Sequence, residues 1–124
     1  MEKAKVYFIK DITAENMIQI YEALNNPLTG KVAVKLHSGE VGNQNFLRPS
    51  FLEPIIKHVE GTIVESNTAY EGKRNTTKEH LETMILHGWT DIAKVDIMDA
   101  DGVLTVEAAA NLCVGNRDYE LIEL

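Results

Sequence analysis

Hydrophobic positions along the chain switch between a two-residue and a helical period, and the switches predict the order strand, helix, strand, helix, strand, helix, strand. Val6 to Ile9, β-branched and aromatic, predicts the first strand. Thr13 reads as an N-cap, with Glu15 in the first turn and Met17, Tyr21 and Leu24 at helical spacing; Asn25, Asn26 and Pro27 end that helix. Lys31 to Leu36 predicts the second strand, with Val32, Val34 and Leu36 on one face and Ala33 and Lys35 on the other. Ser50 with Glu53 reads as a capping box before a stripe of Leu52, Ile55, Ile56 and Val59, tolerating Pro54 and closed by Gly61. Thr62 to Glu65 predicts the third strand. Thr76 with Glu79 then caps a helix with a stripe of Leu81, Met84 and Ile85, ended by Gly88, after which Trp89 packs back. Ala93 to Met98 predicts the fourth strand. Val103 to Val106, Leu112 to Val114 and Tyr119 to Leu124 predict hairpins turned at Asp101-Gly102 and Gly115-Asn116.

This order implies an α/β domain, 1–124, with right-handed crossovers and a mainly parallel sheet carrying packed helices. The expected architecture is a Rossmann-like three-layer fold with a C-terminal β-hairpin extension. Two polar, glycine-containing loops follow consecutive strands: 37–48, HSGEVGNQNFLR, and 66–75, SNTAYEGKRN. Open α/β sheets bind ligands beyond the carboxyl ends of their strands, so the two loops are expected to line one crevice.

Composition narrows the partners. The 124 residues include 12 Lys and Arg against 19 Asp and Glu, a formal net charge of -7, which repels nucleic acid. A single cysteine, Cys113, excludes an intrachain disulfide and any multi-thiolate metal site within the chain, and it reads as a small buried residue. The charged N-terminus carries no signal-peptide core, and no apolar run approaches the roughly 18 residues that span a bilayer. A cytoplasmic location without membrane contact is the expectation.

The candidate chemistry sits around the crevice. His37 is the natural proton-transfer group, since an unperturbed imidazole titrates near pH 6.5, and Glu40 is placed to orient it; holding the strand end is the competing structural role. Lys35 and Glu65 are expected to form a cross-strand ion pair, with Lys35 aimed at a ligand or neutralised by Glu65. Arg48 and Arg74, from different loops, suit a two-armed anion clamp, unless each pairs with a surface acid. Asn67 and Tyr70 complete the ligand-binding set, while Asn43, Asn45 and Asn75 read as turn residues.

Sharper motifs fail. GEVG lacks the full dinucleotide fingerprint, and IMDADG is no calcium loop because Ile97 and Ala108 stand where its first and last acids belong. His58, His80 and His87 lack zinc-protease spacing and are expected at helix surfaces or ends. No metal site is predicted.

The segments VAVKLHSGEVGNQNFLRP and VESNTAYEGKRNTTKEHLE, with the GW that follows, resemble the N-terminal part of the uncharacterised iron-sulfur-centre proteins, domain-of-unknown-function family 362. The resemblance covers nearly the whole chain and rests on KLH, GE, G-N, LRP, N-T-Y and G-R. It implies a longer protein with further α/β sequence and a ferredoxin-like segment whose cysteines hold four-iron clusters. An iron-sulfur cluster is therefore expected only in a C-terminal part, with no cofactor inside this chain, and the alternating YELIEL at the end reads as a truncation. Two functions fit. One is binding of a small anionic metabolite by Lys35, His37, Glu40, Arg48, Asn67, Tyr70 and Arg74 within a larger enzyme. The other is a non-catalytic interaction or scaffold domain docking on a C-terminal iron-sulfur domain, another subunit or a second copy.

Overall fold

The computed structural model describes residues 3–100 and the backbone of 119–123, and these residues form helices and parallel strands. Helix α1 (Ala14–Ala23) starts at Thr13, whose hydroxyl accepts the Asn16 N–H at 3.1 Å, and ends before Asn25, which turns the chain with a φ of 50°. Strand β1 (Lys31–Lys35) follows, then α2 (Pro49–His58), β2 (Thr62–Glu65), α3 (Thr77–Leu86), the short α4 (Trp89–Ile92), β3 (Val95–Ile97) and β4 (Tyr119–Glu123). Among the described residues no helix is long and apolar enough to cross a membrane.

Three expectations are corrected. Val6 to Ile9 is not a strand: it has the propensity but no neighbouring strand to pair with among the described residues, and Val6 and Phe8 stay exposed. Ser50 does not cap α2. The cap is Arg48, without a side-chain bond, because Pro49 occupies the first helical position, where its missing N–H costs nothing; Glu53 pairs instead with Lys57 at 2.6 Å. The third concerns α3, which is capped by Thr76 as expected but faces inward with His80, Thr83 and Met84, leaving Leu81, Ile85 and Leu86 exposed. Leu24 is the exposed C-cap of α1. The expected hairpins over 103–118, their turns and Cys113 lie outside the described residues. Tyr119–Glu123 pairs with β1 in parallel.

The sheet order is β3-β2-β1-β4, all parallel, with Val34 opposite Ile63, Ile63 opposite Val95 and Val34 opposite Ile122. The chain thus steps outward from β1 to β3 and returns to the other side of β1. That reversal makes a switch point between β1 and β4, beside the segment that leaves β1.

One core face unites Val32, Val34 and Leu36 with Ile63, and against it pack Leu52, Ile55 and Ile56 of α2, Met84 of α3, Trp89 of α4 and Ala14 of α1. Ala33 and Val64 alternate with this set, point to the other face, and are also buried. Close approach of α2 to β1 depends on Gly61, where a Cβ would stand 2.6 Å from Val34 Cγ2. The packed core therefore fixes the carboxyl ends of β1 and β2 side by side.

Candidate functional site

Beyond those carboxyl ends, a polar network replaces the apolar core. At its centre lies Glu65, the last residue of β2 and 2% exposed. Its Oε2 accepts from Lys35 Nζ at 2.9 Å and from the Ser66 N–H at 3.1 Å; its Oε1 accepts from the Ser38 N–H at 2.9 Å and from Arg74 Nη1 at 3.3 Å. Burial by itself raises a carboxyl pKa, but the bonds from Lys35, Ser38 and Ser66 outweigh it and hold Glu65 below the usual carboxylate range. The expected Lys35–Glu65 pair is present, and Lys35 also donates to its neighbour's carbonyl, Leu36 O, at 3.0 Å.

Arg74 ties the two loops together. The 66–75 loop curls back so that the Thr68 N–H donates to Arg74 O at 2.8 Å, which turns the side chain inward. Its Nε donates to Glu40 Oε1 at 2.9 Å, and Nη2 is shared among Glu40 Oε1, His37 Nε2 at 3.1 Å and the Tyr70 hydroxyl at 3.1 Å. Burial disfavours the Arg74 charge, yet Glu40 and Glu65 together keep its pKa raised. Glu40 in turn is held below its ordinary value, first by the Arg74 hydrogen bond, against partial burial and with help from Tyr70.

His37 is exposed and lies between two donors: the Gly39 N–H faces Nδ1 at 3.1 Å and Arg74 faces Nε2. Neither partner can accept, so this arrangement requires a neutral ring, which accepts one of the two bonds. Glu40 does not orient His37 directly; both meet on Arg74.

Behind this outer layer runs a second chain of polar groups, fully buried at Ser38 and His80. Ser38 Oγ is 3.1 Å from His80 Nε2, and His80 Nδ1 is 3.3 Å from Asn67 Oδ1. With an amide oxygen at Nδ1, the neutral ring carries its proton there and accepts the Ser38 hydroxyl at Nε2. Burial holds the His80 pKa down and keeps it neutral. Asn67 also donates to Thr77 Oγ1 at 3.0 Å, and its N–H meets both Asp99 oxygens at 2.9 and 3.2 Å, which brings in the segment after β3. The Ser38 carbonyl accepts from His87 Nδ1 at 2.8 Å and Trp89 Nε1 at 2.9 Å.

His80 thus departs from the expectation of histidines at helix surfaces or ends, because α3 turns its polar face to the site; His87 caps the end of α3 and His58 stays exposed, near Glu22 at 3.5 Å, both as expected. Arg48 departs from the clamp. Its guanidinium donates to Gln44 O and lies 4.5 Å over the Phe46 ring, which stacks on His87. Of the expected residues, Lys35, His37, Glu40, Tyr70 and Arg74 share one network, Asn67 sits behind them, and Arg48 is outside. Asn43 is a turn residue, as expected, accepting from the Asn45 N–H at 2.7 Å.

Sequence reasoning missed Ser38, His80, His87, Trp89 and Asp99. His80, Thr83, Met84 and His87 share helical spacing, so the signal for an inward polar stripe was present. Among the described residues, no group of three or more His, Cys, Asp or Glu is arranged to hold a metal ion. No family model, curated protein or solved structure matches the chain.

Proposed function

We propose that this chain binds a small anionic metabolite at the carboxyl ends of β1 and β2, in the crevice bounded by 37–48 and 66–75. The supporting observation is a charge imbalance. Two cations, Lys35 and Arg74, converge on one buried carboxylate, Glu65, so the fixed part of the network holds one excess positive charge. At the outward edge of Arg74 it is offset by the partly exposed Glu40, while Asp99 lies behind, on the Asn67 N–H. Arg74 is the anion-facing group, His37 and Tyr70 flank it, and Lys35 with Asn67 positions the frame. The location beside the β1/β4 switch point agrees with where open α/β sheets take ligands.

A thermal-shift screen with acetate, succinate, phosphate and sulfate tests this. At a ligand concentration a hundredfold above Kd, binding stabilises by about 2.7 kcal/mol, enough to raise Tm by several degrees. Arg74→Ala is expected to abolish the response and Arg48→Ala to retain it. An unresponsive wild type refutes the site.

A second reading, an interaction domain, is favoured by one observation: Val6 and Phe8 are 89% and 87% exposed in the segment before α1. Its homo-oligomeric form predicts concentration-dependent association in sedimentation equilibrium that Phe8→Glu removes. A monomer at high concentration excludes that form. We also propose the Rossmann-like three-layer arrangement, since right-handed crossovers in the order β3-β2-β1-β4 call for layers on both faces. Membership of the iron-sulfur-centre family and a cytoplasmic location are proposals on the motifs and composition described above.

A further inference from the structure

Arg74 has two carboxylate partners of opposite character. Glu65 is immobile: its side chain is 3% exposed, and four donors fill both oxygens. Glu40 is displaceable, its side chain being 34% exposed on a loop where Gly39 and Gly42 have φ of 87° and 83°. The geometry of its bond is also incomplete. Arg74 Nε, Arg74 Nη2 and the Tyr70 hydroxyl all converge on Oε1, while Oε2 bonds to none of the described residues. A guanidinium edge and an untethered carboxylate form two parallel bonds, one to each oxygen, which is the stronger arrangement.

We propose that Glu40 is an internal occupant of the anion site: its carboxylate holds the outward edge of Arg74 where a ligand's carboxylate binds, and the ligand displaces it. This rests on the crevice being an anion site and assigns its ligand class. The displacement needs only rotation about the side-chain bonds of Glu40, because the loop backbone is held separately by the Asn43 N–H donating to Glu40 O at 3.0 Å. A planar carboxylate lies in the plane of the Arg74 edge. Sulfate or phosphate is tetrahedral and sets only two of its oxygens against that edge, leaving its other anionic oxygens outside the paired bonds. With Glu40 gone from Arg74, the ligand meets the excess charge that Lys35 and Arg74 leave after pairing with Glu65.

The test is a titration of the full chain with sodium acetate at neutral pH and constant ionic strength, following the Arg74 side-chain Nε–H by 15N–1H NMR. Glu40→Gln, which keeps the shape and removes the charge, is expected to bind acetate at least about tenfold more tightly than wild type. Adding Arg74→Lys, which keeps a positive charge but loses the planar edge and its Nε–H, is expected to cancel that gain, read as the acetate-dependent rise in Tm of each variant. Glu40→Ala removes the competing carboxylate altogether and is expected to tighten acetate binding in the same direction, independently of how Glu40→Gln folds. Acetate binding to wild type with no gain in Glu40→Gln or Glu40→Ala overturns the displacement and leaves the anion site standing. Preference of Glu40→Gln for sulfate over acetate overturns the ligand class. Silence of Arg74 toward every anion in all variants overturns both.

Discussion

Glutamine at position 65 removes one charge and almost no volume, so it isolates the electrostatic role of the central carboxylate. Glu65 accepts four bonds, two on each oxygen. A glutamine amide offers one oxygen and one NH2 group. If the NH2 takes the Oε1 position it meets the Ser38 N–H and Arg74; at the Oε2 position it meets Lys35 and the Ser66 N–H. Either way two donors lose their acceptor, and two cations lose their buried counter-charge. Two lost bonds to a charged group cost roughly 3 to 6 kcal/mol, and removal of one partner from a buried pair costs about 3 to 5 kcal/mol. The two routes agree on about 4 kcal/mol, a large share of the roughly 5 to 15 kcal/mol by which domains are stable.

Urea unfolding followed through Trp89 measures this loss. Trp89 is the single tryptophan, is fully buried, and donates to the carbonyl of Ser38, whose N–H is bonded to Glu65. The free energy of unfolding should fall by about 4 kcal/mol, with little change in the slope against urea. Glu40→Gln, at a half-exposed position, should cost no more than about 1 kcal/mol. A loss below about 1 kcal/mol for Glu65→Gln would refute the view that Glu65 is the fixed counter-ion of Lys35 and Arg74.

Acidification should act in two stages with the same sign. His80 has its folded pKa lowered, so its contribution is present above about pH 6.5, the unperturbed imidazole value, and is lost as pH falls toward the folded value. Glu40 and Glu65 are also lowered, so a second loss begins near the ordinary carboxylate range, about pH 4.3, and continues below it. Urea midpoints measured from pH 8 to pH 3.5 should show both limbs, and a flat profile between pH 7 and pH 5 contradicts the burial of a neutral His80. Gly39→Ala forces a side chain onto a φ of 87° with its Cβ 2.7 Å from the Phe46 ring, and should destabilise by about 3 kcal/mol; an unchanged urea midpoint counts against this packing. Trp89→Phe leaves one donor, His87, on the Ser38 carbonyl and opens a cavity, with an expected loss of about 2 to 3 kcal/mol by circular dichroism.

Periodicity made the parallel strands and the helices of the central fold legible, because Val32, Val34 and Leu36 or Leu52, Ile55 and Ile56 leave little choice of face. It failed where burial is polar. On α3 the apolar residues Leu81 and Ile85 outscore His80 and Thr83 by hydropathy, yet Ser38, Asn67 and Glu79 give the polar pair its partners, and the helix turns accordingly. Propensity alone misassigned Val6 to Ile9, since a strand is defined by its neighbour. Within the site, loop position foretold that 37–48 and 66–75 meet, and charge type foretold the Lys35–Glu65 pair. The two arginines were indistinguishable by residue type. Arg74 is drawn inward by Glu40 and Glu65, whereas Arg48, at the cap of α2, lies over Phe46.

The most direct test of the anion site is the arginine side-chain spectrum of the wild-type chain during addition of acetate at constant ionic strength. A saturable shift of the Arg74 Nε–H, with Arg48 unmoved as an internal control, is the predicted result. A linear drift shared by both arginines, or no shift at Arg74, would contradict the account.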